Sequence, residues 1–164
     1  PTKPAKNEIW YTSTDGEIVT PNTSNVFGAT IVSNTYEDGK GVITFDGAVT
    51  TIGEYAFYYC DSLTSVTIPD SVTTIGDSAF RYCDSLTSVT IGDSVTTIGD
   101  YAFSWCSSLT SVYCKATTPP SIGYGVFSVN ANSRKIYVPT ESVDAYKTAE
   151  GWSDYASYIV GYDF

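Results

Sequence analysis

The chain has 164 residues and a mass of 17.7 kDa, enough for one domain of ordinary size but not for two independent cores. Its 18 acidic and 8 basic side chains give a formal net charge of −10, which repels a phosphate backbone and argues against nucleic-acid binding. No apolar run approaches the ~18 residues that a transmembrane helix needs, and no signal peptide is visible. Because the chain starts at Pro1 and contains no Met, we expect any export signal or lipid-anchor cysteine to lie upstream.

The first part of the chain is predicted to be a β-rich cap. Residues 1-7, PTKPAKN, have the composition of a linker. In the run 8-20, Asp15-Gly16 separates two segments rich in β-formers, which is typical of a hairpin. A second hairpin is predicted at Glu37-Asp38-Gly39. We assign residues 8-47 to an N-terminal β cap and a first half-repeat.

A fixed period dominates the middle of the chain. Residues 48-70, 71-93 and 94-116 are near copies: the first and second agree at 18 of 23 positions, and the second and third agree at 15. The same interval separates the three leucines of the chain, Leu63, Leu86 and Leu109. A fixed period of this size indicates a solenoid, in which each unit buries its apolar face on its neighbours.

Within one unit, the pattern changes from strand to turn. From Leu63 to Ile68, apolar and hydroxyl side chains alternate, which predicts a strand with one buried face. The segment 72-75 is β-branched and predicts a short second strand. The apolar residues that follow share one face of one or two helical turns, at Ala79, Phe80 and Cys83. Asp77 and Asp100 are the predicted N-caps of such turns.

The C-terminal part is predicted to be a worn repeat followed by a cap. Phe127 and Asn130 fall one position later than the period set by Phe103 and Cys106 requires, so residues 117-139 form a degenerate fourth repeat with one insertion. We assign residues 140-164 to a C-terminal cap with a helix from Thr140, its N-cap, to Lys147. Four further residues are available to seal the last coil, Trp152, Tyr155, Tyr158 and Ile159.

The pattern Leu-x-x-Val-x-Ile-Pro-x-x-Val-x-x-Ile-Gly-x-x-Ala-Phe-x-x-Cys, which runs from Leu63 to Cys83, resembles the BspA-type leucine-rich repeat of bacterial surface proteins. The C-terminal IYVPTESVDAYKTAEGW is similar to the cap common in that family. The resemblance implies a leucine-rich-repeat solenoid, a β-rich α/β right-handed superhelix of 23-residue coils, with an N-terminal β-hairpin cap and a C-terminal helical cap. It also implies an exported or lipid-anchored protein of anaerobic bacteria, with adhesion to host matrix proteins or other cells.

The cysteines have a structural explanation. One column contains Cys60, Cys83 and Cys106, which occupy the same position in successive units. The fourth cysteine, Cys114, occupies the position that Ile68 holds in an earlier unit. Cβ atoms stacked at the spacing of neighbouring strands lie outside the ~3.5–4.5 Å that a disulfide prefers. We therefore expect buried free thiols that act as small core residues, although disulfides stay open as an alternative.

The sequence gives little support to catalysis. The chain has no histidine, no phosphate-binding loop and no close Cys or His cluster for a metal. The acidic columns place one carboxylate per coil, which favours solvated caps and turns over a calcium site. We predict a protein that is not an enzyme, with no cofactor and no metal.

The predicted ligand-binding residues lie on the concave face, where strand alternation turns side chains away from the core: Ser65, Thr67, Ser88, Thr90, Ser111, Tyr113 and Lys115. Among them, only Tyr113 is of a type that dominates binding energies. On the convex turn, six residues are expected to point outward, Tyr55, Tyr58, Ser78, Arg81, Tyr101 and Ser104. The adjacent column of Tyr59, Tyr82 and Trp105 is expected to cover the core rather than to form an exposed ladder.

These observations predict a non-catalytic binding or adhesion module that is extracytoplasmic, at the cell surface or secreted, and recognises a host or bacterial surface protein or glycoprotein. Two alternatives stay open: a structural spacer without a ligand, and a glycan-binding module using Tyr58, Tyr101 or Trp105. Because one short solenoid offers less than a standard protein interface, we expect a monomer that gains affinity in a multivalent surface array.

Overall fold

A computed structural model describes residues 2–164; Pro1, the first residue of the predicted linker, lies outside the described part. Eight strands form one sheet: β1 (Glu8–Ser13), β2 (Ile31–Glu37), β3 (Lys40–Phe45), β5 (Leu63–Thr67), β7 (Ser88–Ile91), β9 (Ser111–Cys114), β11 (Lys135–Pro139) and β12 (Ile159–Tyr162). Four two-residue strands form a second sheet: β4 (Thr51–Ile52), β6 (Thr74–Ile75), β8 (Thr97–Ile98) and β10 (Ser121–Ile122).

The two sheets form two sides of a repeat solenoid. The large sheet has the order β12-β11-β9-β7-β5-β1-β3-β2, and the small sheet has the order β10-β8-β6-β4. Strands β5, β7, β9, β11 and β12 pair in parallel, and residues one period apart lie opposite each other, as Val66 and Val89 do. This arrangement confirms the predicted β-rich solenoid.

The third side of each coil consists of tandem turns, and the predicted helical turn is wrong. Residues 76-84 contain no helix, because Ser78 and Tyr82 have left-handed φ angles of 55° and 62°. Every second amide of the segment donates to the next coil, as Phe80 N–H does to the Ala102 carbonyl at 2.8 Å. Asp77 is not an N-cap; its Oδ1 accepts a hydrogen bond from Asp100 N–H in the next coil at 2.8 Å.

A stack of phenylalanines fills the centre of the solenoid. The rings of Phe57, Phe80 and Phe103 are fully buried and follow one another at centroid distances of 5.1 Å. Phe127 of the fourth repeat continues the stack at 5.8 Å from Phe103, although that repeat carries the extra residue. The insertion therefore leaves the core column intact.

The cysteine column adds a second hydrogen bond to carbonyl groups that already accept an amide N–H within their own turn. All four cysteines are free; Cys83, Cys106 and Cys114 are buried, as expected, and Cys60 is half-buried. Cys83 Sγ donates to the Phe57 carbonyl at 3.1 Å, and Cys106 Sγ does the same to Phe80 at 3.0 Å. In the fourth repeat Asn130 Nδ2 takes this role, donating to the Phe103 carbonyl at 2.8 Å.

The N-terminal cap differs in part from the prediction. The run after Asp15-Gly16 forms no strand, so the first predicted hairpin is wrong; β1 instead pairs antiparallel with both β3 and β5. The second hairpin is present, with β2 and β3 joined by Asp38-Gly39 at φ 52° and 76°. Residues 2-7 form no helix or strand but pack on the solenoid, where the Lys6 carbonyl accepts from Val49 N–H at 2.8 Å.

The C-terminal cap consists of the 3₁₀ helices Thr140–Ser142 and Trp152–Tyr158, the helix α1 (Val143–Thr148) and strand β12. Thr140 is not an N-cap, because its Oγ1 donates to Asp163 Oδ1 at 3.0 Å. Tyr146 and Trp152 are fully buried against the last coil, and Trp152 Nε1 donates to the Pro120 carbonyl at 2.7 Å. No helix among residues 2–164 has the length and hydropathy to cross a membrane.

The phenylalanine stack gives a direct test of the core. Replacing the fully buried Phe80 by Ala removes a ring packed on both faces and should lower the free energy of unfolding by about 3–5 kcal/mol. Urea unfolding followed by circular dichroism measures the change. A decrease of less than ~1 kcal/mol would show that this column does not support the fold.

Candidate functional site

The structure brings the seven predicted site residues together on the outer face of the eight-stranded sheet, and we call them the sheet strip. Their strands pair in register, so Ser65, Ser88 and Ser111 form one row, and Thr67, Thr90 and Tyr113 form the next. All seven are half-buried, because they alternate with core residues such as Val89. The strip is a ladder of hydroxyl groups that ends in an aromatic ring.

Aromatic residues that the sequence prediction missed extend this row. Tyr137 of β11 stacks on Tyr113 with centroids 4.7 Å apart, and Tyr162 of β12 meets the two rings edge-on at 5.3 and 5.6 Å. We call these three residues the tyrosine cluster. The one-position offset of the fourth repeat could have identified Tyr137. Tyr162 lies in β12, where the 23-residue period continues beyond the predicted fourth repeat, as the pairing of Ile136 with Ile159 shows.

The other end of the row is also aromatic. Trp10 lies opposite Thr67 in the pairing of β1 with β5, and Lys40 Nζ lies 3.7 Å from the centroid of its ring. The Asp15-Gly16 pair predicts a separate hairpin for β1 and therefore does not bring Trp10 to this face. The outer face of the sheet thus presents hydroxyl groups between two aromatic ends.

Lys115, the predicted edge residue of the sheet strip, is held by an ion pair. Its Nζ lies 3.2 Å from Asp70 Oδ1, and Lys3 Nζ lies 2.9 Å from Asp70 Oδ2. Partial burial acts to raise the pKa of Asp70, but hydrogen bonds from Asp93 N–H and the two lysines outweigh it and lower the pKa to about 2. The ammonium of Lys115 is therefore fixed in place and partly neutralised.

A second candidate surface lies on the turn side and corrects a prediction from the sequence. We call it the aromatic ridge; it consists of Tyr55, Tyr58, Tyr59, Tyr82, Tyr101 and Trp105. Tyr59 is 56% exposed and Trp105 is 45% exposed, so this column does not cover the core as expected. Their φ angles of 59° and 60° are left-handed and direct the side chains away from the phenylalanine stack.

Two small residues on the turn side are more buried than the sequence predicts. Ser78 and Ser104 were expected to point outward, yet they are 4% and 1% exposed. Their short side chains lie below the surface that the neighbouring aromatic residues form. The Oγ atoms of Ser104 and Ser128 also share a hydrogen bond of 2.8 Å. Tyr58 and Arg81, from the column of Ser104, are half-buried.

The described residues show no grouping of side chains for a metal ion. Within residues 2–164, no three His, Cys, Asp or Glu side chains are grouped to hold a metal ion. Burial raises the pKa of Cys60 and of Cys114 to about 11, which keeps both thiols protonated and unreactive at neutral pH. The chemistry available at the surface is that of hydroxyls, aromatic rings and charges.

Comparison with known proteins decides the family. A family model described as a BspA type leucine rich repeat region matches residues 30–149 in six copies. The chain belongs to the BspA-type leucine-rich-repeat family. No curated protein matches the chain significantly.

Two crystal structures of bacterial leucine-rich-repeat proteins resemble this BspA-type domain. A leucine rich repeat protein of T. pallidum is 24% identical, with a TM-score of 0.49 over 72% of this chain and 64% of its own. A leucine rich cell surface protein from Faecalibacterium prausnitzii A2-165 is 30% identical, with a TM-score of 0.42 over 69% of this chain and 36% of its own. The match therefore spans less than two thirds of either of those chains.

The Asp70 ion pair of this BspA-type domain predicts a pH dependence. Because its folded-state pKa of about 2 lies below the ~3.9 of an unfolded aspartate, Asp70 stabilises the fold above pH ~4, and this contribution is lost between pH ~4 and ~2. Asp70→Asn should therefore show a smaller loss of stability across this range, measured as urea midpoints. Asp84→Asn, an exposed turn-side control, should keep the wild-type profile. An Asp70→Asn profile parallel to wild type would contradict the account.

Proposed function

We propose that this BspA-type domain is a non-catalytic binding module that recognises a protein or glycoprotein at the cell surface through the sheet strip. The observation that carries the proposal is the tyrosine cluster of Tyr113, Tyr137 and Tyr162 at the end of a hydroxyl ladder. Tyrosine is among the residue types that dominate binding energies, whereas a ladder of Ser and Thr alone offers little.

The packing of the cluster suits it to binding. The stacked rings of Tyr113 and Tyr137 are half-buried and restrain each other, so a partner that covers them loses little entropy in ordering them. Tyr162 is 43% exposed and extends the apolar area. The neighbouring hydroxyls of Thr90 and Ser111 supply donors and acceptors for a polar rim.

Family membership supports the location and the absence of catalysis. Units that need only to stack on one another form a scaffold, and the function of a scaffold lies in its surface side chains. Membership of the BspA-type family supports an extracytoplasmic site of action. In that setting, several copies on one surface would raise the apparent affinity of a small interface.

The test is binding of the multivalently displayed domain to a panel of extracellular-matrix proteins and mucins. Tyr113→Ala and Tyr137→Ala should each weaken binding by roughly 30-fold, the loss typical of a hot-spot residue, with the circular dichroism spectrum unchanged. Val32→Ala, which removes an exposed apolar side chain on β2 at the far edge of the sheet, is the control and should bind as wild type. Equal binding by all variants, or no binding by the wild type, would contradict the proposal and favour a spacer.

A further inference from the structure

The aromatic ridge is a second surface that the proposed function does not use. Its residues lie on the turn side of the coils, away from both sheets, and Tyr55, Tyr59, Tyr101 and Trp105 are 41–56% exposed. An exposed apolar patch of this kind marks an interaction site rather than ordinary surface. Tyr, Trp and Arg, the types found here, are also those enriched at binding hot spots.

The backbone beneath the ridge is left-handed at positions that carry bulky side chains. Tyr55, Tyr59, Tyr82, Tyr101 and Trp105 have φ angles of 58–62°, where a bulky side chain is disfavoured by about 1–2 kcal/mol. In the fourth repeat the equivalent of Tyr101 is a glycine, Gly125, at φ 58°. Ser78 and Val129 hold equivalent positions at φ 55° and 57°, so the left-handed backbone belongs to the turn and not to the aromatic side chains.

The rings of the ridge contact one another from coil to coil. Tyr59 and Tyr82 stack at 4.5 Å with planes 12° apart, and Tyr82 lies 5.8 Å from Trp105.

One cation already sits on the ridge. The Arg81 guanidinium carbon lies 5.1 Å from the centroid of Tyr82 and 4.8 Å from that of Tyr101, both within cation–π range. Its Nε is buried without a hydrogen-bond partner among residues 2–164, so the rings are the main contact of the guanidinium that the structure shows. The ridge therefore binds a guanidinium within its own chain.

The negative charge around the ridge also favours a partner that carries a guanidinium group. Glu54, Asp61 and Asp84 are exposed beside it, and the chain as a whole carries a formal charge of −10. This charge repels a second copy of the chain and attracts a basic partner. We infer that the aromatic ridge is a docking surface for an arginine-bearing segment of a partner protein, separate from the sheet strip.

The experiment is a calorimetric titration of the domain, at low ionic strength, with a short peptide of alternating arginine and glycine. The matched probe is the same peptide with citrulline in place of arginine, which keeps the shape and loses the charge. The arginine peptide should bind at least roughly tenfold more tightly than the citrulline peptide. Equal binding of the two peptides, or no binding of either, would overturn the inference.

Variants place the peptide on the ridge. Tyr59→Asn and Trp105→Asn suit the left-handed backbone and should each weaken binding by roughly threefold to tenfold. Arg81→Ala frees two rings and removes a repelling charge, so it should strengthen binding by a similar factor. A purely structural Arg81 would give no gain, and that result would overturn the inference.

Controls separate this inference from the proposed function. Val32→Ala should leave peptide binding unchanged. Loss of peptide binding in Tyr137→Ala but not in Trp105→Asn would move the peptide to the sheet strip and overturn the inference. Saturable binding of a neutral oligosaccharide that Trp105→Asn abolishes, or a dimer that Trp105→Asn dissociates, would also overturn it.

Discussion

The hydrogen bonding of each coil to the next is the constraint on which the rest of this structure depends. The strands of the repeats pair in parallel in both sheets, and the turn side adds its own bonds, such as Phe57 N–H to the Ala79 carbonyl at 2.7 Å. Side chains must fit into the spacing that these bonds set. Gly99 shows this, since a Cβ there would collide with Asp77 Oδ1, the acceptor of Asp100 N–H. A position such as Gly99 is therefore constrained by the preceding coil.

The same constraint produces both candidate surfaces. When equivalent side chains lie one strand spacing apart, aromatic residues stack into columns, inside as Phe80 on Phe103 and outside as Tyr113 on Tyr137. A column inside stabilises the fold, whereas a column outside such as the aromatic ridge adds backbone strain at Tyr59 and Trp105. Surface columns are rigid before a partner arrives, which makes them suitable for binding.

The repeat predicted the core and the strand register, because its fixed period places Val66, Val89 and Val112 in one column whatever the details of the turn. It failed on the turn side, where the spacing of Ala79, Phe80 and Cys83 suits both a helical turn and tandem turns. Only a left-handed backbone distinguishes tandem turns from a helical turn, and aromatic residues do not predict a left-handed backbone. The insertion of β1 between β3 and β5 depends on tertiary packing that no period encodes.

Native-state hydrogen exchange of individual amides tests the central claim most directly. If coil-to-coil bonds on the turn side carry the fold, the amides of Phe57, Phe80 and Phe103 should exchange only through global unfolding, as the amides of β7 do. Their opening free energies should then equal the free energy of unfolding from urea titration. Rapid exchange of these three amides, with the strands still protected, would show that the sheets alone stabilise the fold and hold the turns in place. That result would contradict the account.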